Sequence, residues 1–426
     1  MSNKSYFVPG TEYDLLYVRL LFMGVNKKYD GYRAYDYLEK NVDYQAWEMR
    51  EYLDGREDYL LELSAEDDER ARAIARDQIV ISLHEHPTCL PKDLLQIVDY
   101  TREGRDVCAY ERLSQSCYDV VFDNMLDGTT LIRSKNGWKW EDILYDIGMR
   151  LCDLEHQSML MRCRSIADFE LARASGRICL IPAVEGAALI ENELDRIDVL
   201  FGFGVRMMGI AYSESNGLAS GIKEERDGGL TAFGREAVRR MNQVGMAIDC
   251  SHTAYQSTLD VIAESEKPIF LTHVGSRSLS ESKRMFPDEV LKACADRGGV
   301  IGVEAAPHTT ISAQHPRHSI ESVFDHFDHL VSVCGIDHLA FGPDTLYGDH
   351  VGLHDVFAKH FSKSDTQTSE HETVPYVEGM ENSTETSHNL IRMLIRRGYS
   401  DDDIEKVLSG NIIRVLSEVW PQSIVS

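Results

Sequence analysis

The chain has 426 residues, 43% of them hydrophobic, with 70 acidic against 44 basic side chains and a net charge of −26. This is enough apolar content for one large α/β domain with additions, and the acidity argues against a nucleic-acid backbone or an anionic membrane surface as partner. Met1–Tyr6 has no charged-then-apolar leader pattern, no apolar run approaches the roughly 20 residues of a membrane span, and nine cysteines without a Cys-x-x-Cys pair fit a reduced, cytoplasmic setting.

Residues 1–76 are expected to form a helical N-terminal extension. Tyr13–Met23 has helical apolar spacing, and Glu66–Arg76 reads as a charged, alanine-containing helix surface. From 77 to 426 short apolar runs alternate with longer helical ones, the signature of parallel βα units. The expected strands are Ile79–His84, Arg105–Tyr110, Ile178–Glu185, Gly204–Ala211, Met246–Cys250, Pro268–His273, Gly299–Glu304 and His338–Asp344. Eight such runs point to a closed (β/α)8 barrel of the TIM type. Lys92–Arg102, Trp138–Gln157 and Ser165–Ser175 supply helical connections. Thr231 is expected to cap the helix that follows Gly228-Gly-Leu. Ser362–Thr373 is polar and lacks apolar periodicity, so it reads as a mobile loop. Helices over Asp401–Leu408 and Asn411–Val419 close the chain.

In such a barrel the carboxyl ends of the strands build the active site. The first strand ends in His84-Glu-His86, and period-two alternation puts both imidazoles on one face. Two imidazoles so placed can hold a borderline metal such as zinc. Glu185 ends the third strand and has two oxygens with which to bridge cations, though alone it also reads as a solvated glutamate before a turn. His252 and His273 follow the fifth and sixth strands. Asp344 ends the eighth, where it can bind metal and take a proton, or cap the next turn. Six ligand-type residues at five strand ends suggest two close metals activating a bridging hydroxide, which suits amide or ester hydrolysis. No Gly-x-Ser-x-Gly elbow is present, nor a P-loop or Gly-x-Gly-x-x-Gly after a strand.

Several stretches in the same order carry a family resemblance: Gly204-Val-Arg206, Gly229-Leu-Thr-Ala-Phe-Gly234, Asp249-Cys-Ser-His252 and Pro268-Ile-Phe-Leu-Thr-His273 with Arg277. Arg284-Met-Phe-Pro-Asp288, Gly298-Gly-Val300, Gly335-Ile-Asp-His338, Gly379-Met-Glu-Asn382 and Arg397–Ile404 with Gly410-Asn411 continue it. Over about 77–419 the chain resembles the membrane dipeptidase (renal dipeptidase) family of zinc peptidases, within the amidohydrolase superfamily. The resemblance implies a (β/α)8 barrel with two Zn2+ per chain, a dipeptide or related small amide as substrate, and a homodimer. It implies that His84 and His86 bind the first metal, Glu185 bridges, and His252 and His273 bind the second. Asp344 would bind the first metal and act as general base and acid, and Arg284 would hold the substrate carboxylate. Two positions depart from the family pattern. His86 stands where the family usually has aspartate. Tyr212 stands, by register, where the dipeptidases place a histidine that polarises the substrate carbonyl. The expected activity is therefore dipeptide hydrolysis. An amidohydrolase acting on another amide, lactam or ester is the alternative, and a barrel that binds metal without catalysis is a third.

Overall fold

The structure is a computed structural model that describes residues 27–53, 56–125, 139–360, 373–421 and 423. Eight parallel strands form a near-closed barrel: β1 (Ile81–Glu85), β2 (Val120–Asn124), β3 (Ile178–Val184), β4 (Met207–Gly209), β5 (Ala247–Asp249), β6 (Phe270–Val274), β7 (Val300–Val303) and β8 (Leu339–Phe341). They are ordered consecutively from β1 to β8. At the mouth β8 meets β1 through Asp344 N donating to His84 O at 3.1 Å and His86 N donating to Thr345 O at 3.0 Å. A short strand, Leu160–Arg162, adds to the side of β3. The strands are rich in Val, Ile, Leu and Phe and buried on both faces, as a barrel wrapped by helices demands.

Two apolar layers result. Leu83, Phe122, Ile181, Phe270 and Val300 fill the lumen, and Ile412, Leu416 and Trp420 pack against them. Residues of opposite parity, such as Val121, Leu180, Ile248 and Leu271, pack outward against the helices. Each fully buried large side chain of this kind contributes about 1.5–3 kcal/mol of transfer free energy. Thr231 caps the helix Ala232–Val244, its hydroxyl accepting from Gly234 N at 2.9 Å.

The second expected strand, Arg105–Tyr110, is not a barrel strand. Cys108 makes one isolated antiparallel bridge with Thr88 above the barrel, and Tyr110 begins the short helix Tyr110–Leu113. The run that inserts between β1 and β3 is Val120–Asn124, which pairs with both. The helical reading of the N-terminal extension also fails over much of its length. Among the described residues of 27–64 there is no α-helix, only turns and extended chain. Helix Ala65–Asp77 does form, with Ser64 accepting from Asp67 N at 3.1 Å. The extended part is tied down by Lys27, whose ammonium reaches buried Asp119 at 2.7 Å, and by Tyr32 and Tyr35, which both donate to Asp153. Backbone held by side-chain partners of the barrel does not need a helix's internal hydrogen bonds. The Tyr13–Met23 pattern lies outside the described residues, as does 362–372 of the expected loop. Among the described residues no helix is long and apolar enough to cross a membrane.

Candidate metal centre

The six ligand-type side chains meet at the mouth of the barrel. His84 lies within β1 and His86 just past it, and the β1–β2 register shifts between Ser82 and Glu85. Such an irregularity re-aims side chains at a strand end. The two Nε2 atoms lie 3.3 Å apart. Glu185 follows β3 directly and brings Oε1 to 2.9 Å from His84 Nε2 and 3.4 Å from His273 Nε2. His252 Nε2 lies 2.9 Å from His273 Nε2 and 3.8 Å from Glu185 Oε1. Asp344 Oδ1 stands 3.1 Å from His86 Nε2 and 3.5 Å from His84 Nε2. Its φ of 57° is left-handed, an uncommon conformation for a residue with a Cβ and one found at functional sites.

The atoms fall into three groups, each spanning no more than 4.8 Å: His84, His86 and Glu185; His84, His273 and Asp344; Glu185, His252 and His273. These separations bracket the roughly 3.3 Å between ligands of a tetrahedral ion with bonds of about 2.0–2.1 Å. The outer ring atoms support the same reading. His84 Nδ1 is 2.8 Å from the Asn124 side-chain amide, His86 Nδ1 is 3.1 Å from Asn124 O, and His273 Nδ1 is 2.8 Å from Thr272 Oγ1. A histidine that ligates through Nε2 carries its proton on Nδ1 and donates it to such partners. For His84 this orients the Asn124 amide oxygen toward the ring, an assignment that rests on the hydrogen-bond network. From Thr272 the network passes to Ser251 Oγ at 3.1 Å and on to Asp249, which accepts from Ser251 Oγ at 2.7 Å. Buried Glu185 Oε2 has no hydrogen-bond partner, and an ion is the natural complement of such an orphaned oxygen. The donor set of nitrogen and oxygen fits zinc.

Electrostatics at the site favour a cation. Burial holds His252 and His273 well below the usual imidazole range, helped by the nearby positive charges of Arg284 and His84. Both rings are thus neutral, the form that ligates. Burial also disfavours charge on His84, yet Glu185 and Asp344 overcome it and push that ring up to about 9. A site that draws a proton so strongly will exchange it for a metal ion. Asp344 is held well below the usual carboxylate range despite burial, through its contacts with His84 and His86.

The remaining expected site residues line the same mouth. The Tyr212 ring stacks on His252, 4.2 Å between centroids. Arg284 donates from Nη1 to Ser251 O at 3.1 Å and from Nη2 to His273 O at 2.7 Å. Nη2 also pairs with Glu304, a fully buried carboxylate one residue past β7. Sequence reasoning passed over Asn124, whose strand it had placed elsewhere, and Glu304, which it read only as a strand end. It also gave no role to Glu85 between the two histidines. That buried carboxyl accepts from Thr345 N at 3.1 Å, Thr345 Oγ1 at 2.6 Å, Tyr118 OH at 3.0 Å and Ser383 Oγ at 3.1 Å. Glu85 therefore ties the rim of β1 to the segment that carries Asp344.

Comparison with known proteins adds an independent line. The model of the membrane dipeptidase family (peptidase family M19) matches residues 68–359 and 369–423. The dipeptidase tcpJ of Claviceps purpurea (strain 20.1) is 26% identical over 276 residues, 64% of this chain, and the match spans only 58% of that relative's length. The uncharacterized protein in the pqqA 5′ region of Klebsiella pneumoniae is 28% identical over 272 residues, 62% of this chain and 90% of its own. Among solved structures, an amidohydrolase from Pseudomonas aeruginosa superposes with a TM-score of 0.67 at 24% identity, covering 82% of this chain and 99% of that one. A metallo peptidase from Rhodobacter sphaeroides, liganded with a phosphinate mimic of the dipeptide L-Ala-D-Ala, gives a TM-score of 0.62 at 19% identity, covering 81% and 100%. The two structures share this fold.

Proposed function

Since the chain belongs to the membrane dipeptidase family, we propose that it is a dinuclear zinc hydrolase that cleaves the amide bond of dipeptides or small dipeptide-like substrates. The observation that carries this reading is the convergence of His84, His86, Glu185, His252, His273 and Asp344 at one barrel mouth. Two zinc ions held there would supply Lewis acidity and an activated water at neutral pH. His84, His86 and Asp344 would hold the first ion, His252 and His273 the second, with Glu185 shared between them. Asn124 and Thr272 fix the ring tautomers that this requires. Asp344 is kept ionised by its histidine neighbours and keeps 15% of its side chain open to the mouth. It takes a proton from the attacking water and returns it to the leaving amine, as general acid–base chemistry demands. The Tyr212 hydroxyl donates to the developing oxyanion, and Arg284 meets the far end of the substrate. Nine free cysteines, most of them buried, support placing the protein in a reducing compartment such as the cytoplasm.

Metal analysis of purified protein, a dipeptide panel and Asp344→Asn test this together. The expected result is two zinc ions per chain and dipeptide cleavage, with Asp344→Asn keeping metal and losing about 10²–10⁴ in kcat. A fully active Asp344→Asn, or a protein that takes up no metal, overturns it.

A further inference from the structure

We propose that Glu304 sets the substrate class by occupying the guanidinium of Arg284. The substrate end that lies there is then an uncharged carbonyl group, an amide, ester or lactam, rather than a free carboxylate. This rests on the amide-hydrolase reading above and narrows it.

A guanidinium carries five N–H donors in a fixed plane: one on Nε, two on Nη1 and two on Nη2. A carboxylate is gripped by two parallel donors. The two forks with parallel donors pair Nε with Nη2 and Nη1 with Nη2, so each needs one proton of Nη2. Both Nη2 protons are already engaged, one by His273 O at 2.7 Å and one by Glu304 Oε2. One Nη1 proton goes to Ser251 O at 3.1 Å. Nε–H and a single Nη1 proton remain, on different edges of the plane. Each suits a neutral carbonyl oxygen, and together they form no fork.

Glu304 does not release its partner easily. Its side chain is fully buried, its Oε1 has no hydrogen bond, and Arg284 is the cation it pairs with among the described residues. Turning Arg284 toward a substrate carboxylate would leave a buried carboxylate uncompensated, a costly state. If Glu304 served merely to prop Arg284 toward a carboxylate, its removal would have the opposite sign.

The experiment compares two phosphinate pseudo-dipeptides, alike except for a free carboxylate or a carboxamide at the end, by calorimetry on zinc-loaded protein at pH 8. Cleavage of the matching dipeptides, free and amidated, is followed in parallel. The carboxamide form is expected to bind about tenfold more tightly. Glu304→Gln is expected to move the ratio at least tenfold toward the free acid, because a neutral amide oxygen holds the Nη2 proton less strongly than a carboxylate and the competing charge is gone. Equal or tighter binding of the free acid by wild type, an unmoved ratio in Glu304→Gln, or binding of neither compound overturns the proposal. Should Glu304→Gln fail to fold, the wild-type ratio decides alone. A binding preference without cleavage of either dipeptide would sink the dipeptidase reading and leave this one standing.

Discussion

Replacing Asn124 tests whether the barrel mouth is built to hold metal. The Asn124 side-chain amide lies 2.8 Å from His84 Nδ1, whereas its main-chain carbonyl serves His86 at 3.1 Å. Asn124→Ala therefore removes the outer partner of His84 and leaves that of His86 in place. The unsupported ring loses its fixed tautomer and orientation, which at comparable sites lowers metal affinity by about 10–100-fold. That is about 1.4–2.7 kcal/mol. The loss should be confined to the ion held by His84, His86 and Asp344, because His273 is held by Thr272 and His252 by stacking on Tyr212, neither of which Asn124 touches. Asn124→Asp keeps an acceptor and cannot donate, so it should bind zinc at least as tightly as the wild type. Titration against a chromophoric chelator, with thermal unfolding as a check on the fold, reads both variants. Two equally tight ions in a folded Asn124→Ala would refute the reasoning. So would an Asn124→Asp as weak as the alanine variant, since it would mean that the amide donates to His84.

Two further outcomes follow from buried contacts away from the ligands. Arg112 is buried, reaches Asp58 at 2.5 Å and lies over the Tyr52 ring at 3.9 Å, so Arg112→Ala should cost about 3–5 kcal/mol in urea unfolding, as breaking a buried pair does. A loss under about 1 kcal/mol would mean the pair behaves as an exposed one. A Cβ added at Gly209 would sit 1.8 Å from Glu185 O. Gly209→Ala should therefore cost about 1–3 kcal/mol of stability and reduce zinc content by displacing the shared ligand, and unchanged zinc stoichiometry by elemental analysis would show that the strand end yields elsewhere.

Much of this molecule could be read without coordinates. Short Val- and Ile-rich runs between longer helical ones imply parallel strands, and the ligand-type residues were visible because each closes such a run. The second strand was missed for a physical reason. Asp106-Val-Cys-Ala and Asp119-Val-Val-Phe are both short apolar runs after an aspartate, and local propensity does not separate them. Only pairing does: Val120 and Val121 meet Ile81 and Ser82 on one side and Cys179 and Leu180 on the other. Misplacing that strand hid Asn124. The N-terminal segment misled differently. Sequence reading extends the helical patterns of Tyr13–Met23 and Glu66–Arg76 across the residues between them. Here Tyr32 and Tyr35 instead reach across to Asp153, a partner more than a hundred residues away and invisible to any local pattern.

The ligands themselves are spread from residue 84 to residue 344, yet their reactive atoms gather within a few ångströms. Side-chain reach alone does not achieve this, because the strands must also crowd together at their ends. A Cβ at Gly342 would sit 2.0 Å from Thr272 O and 3.1 Å from the His84 Cβ. Together with Gly209 against Glu185 O, this puts residues without a side chain where one strand end presses on the backbone beside a ligand. In sequence both glycines look like ordinary punctuation after an apolar run. Their work is to let β8 approach β1 and β6, and β4 approach β3, so that imidazoles and carboxylates from separate segments converge. The metal centre is therefore encoded twice, once by the ligands that a motif search finds and once by glycines that it does not, and the ligands without the glycines would sit on a rim too wide to share an ion.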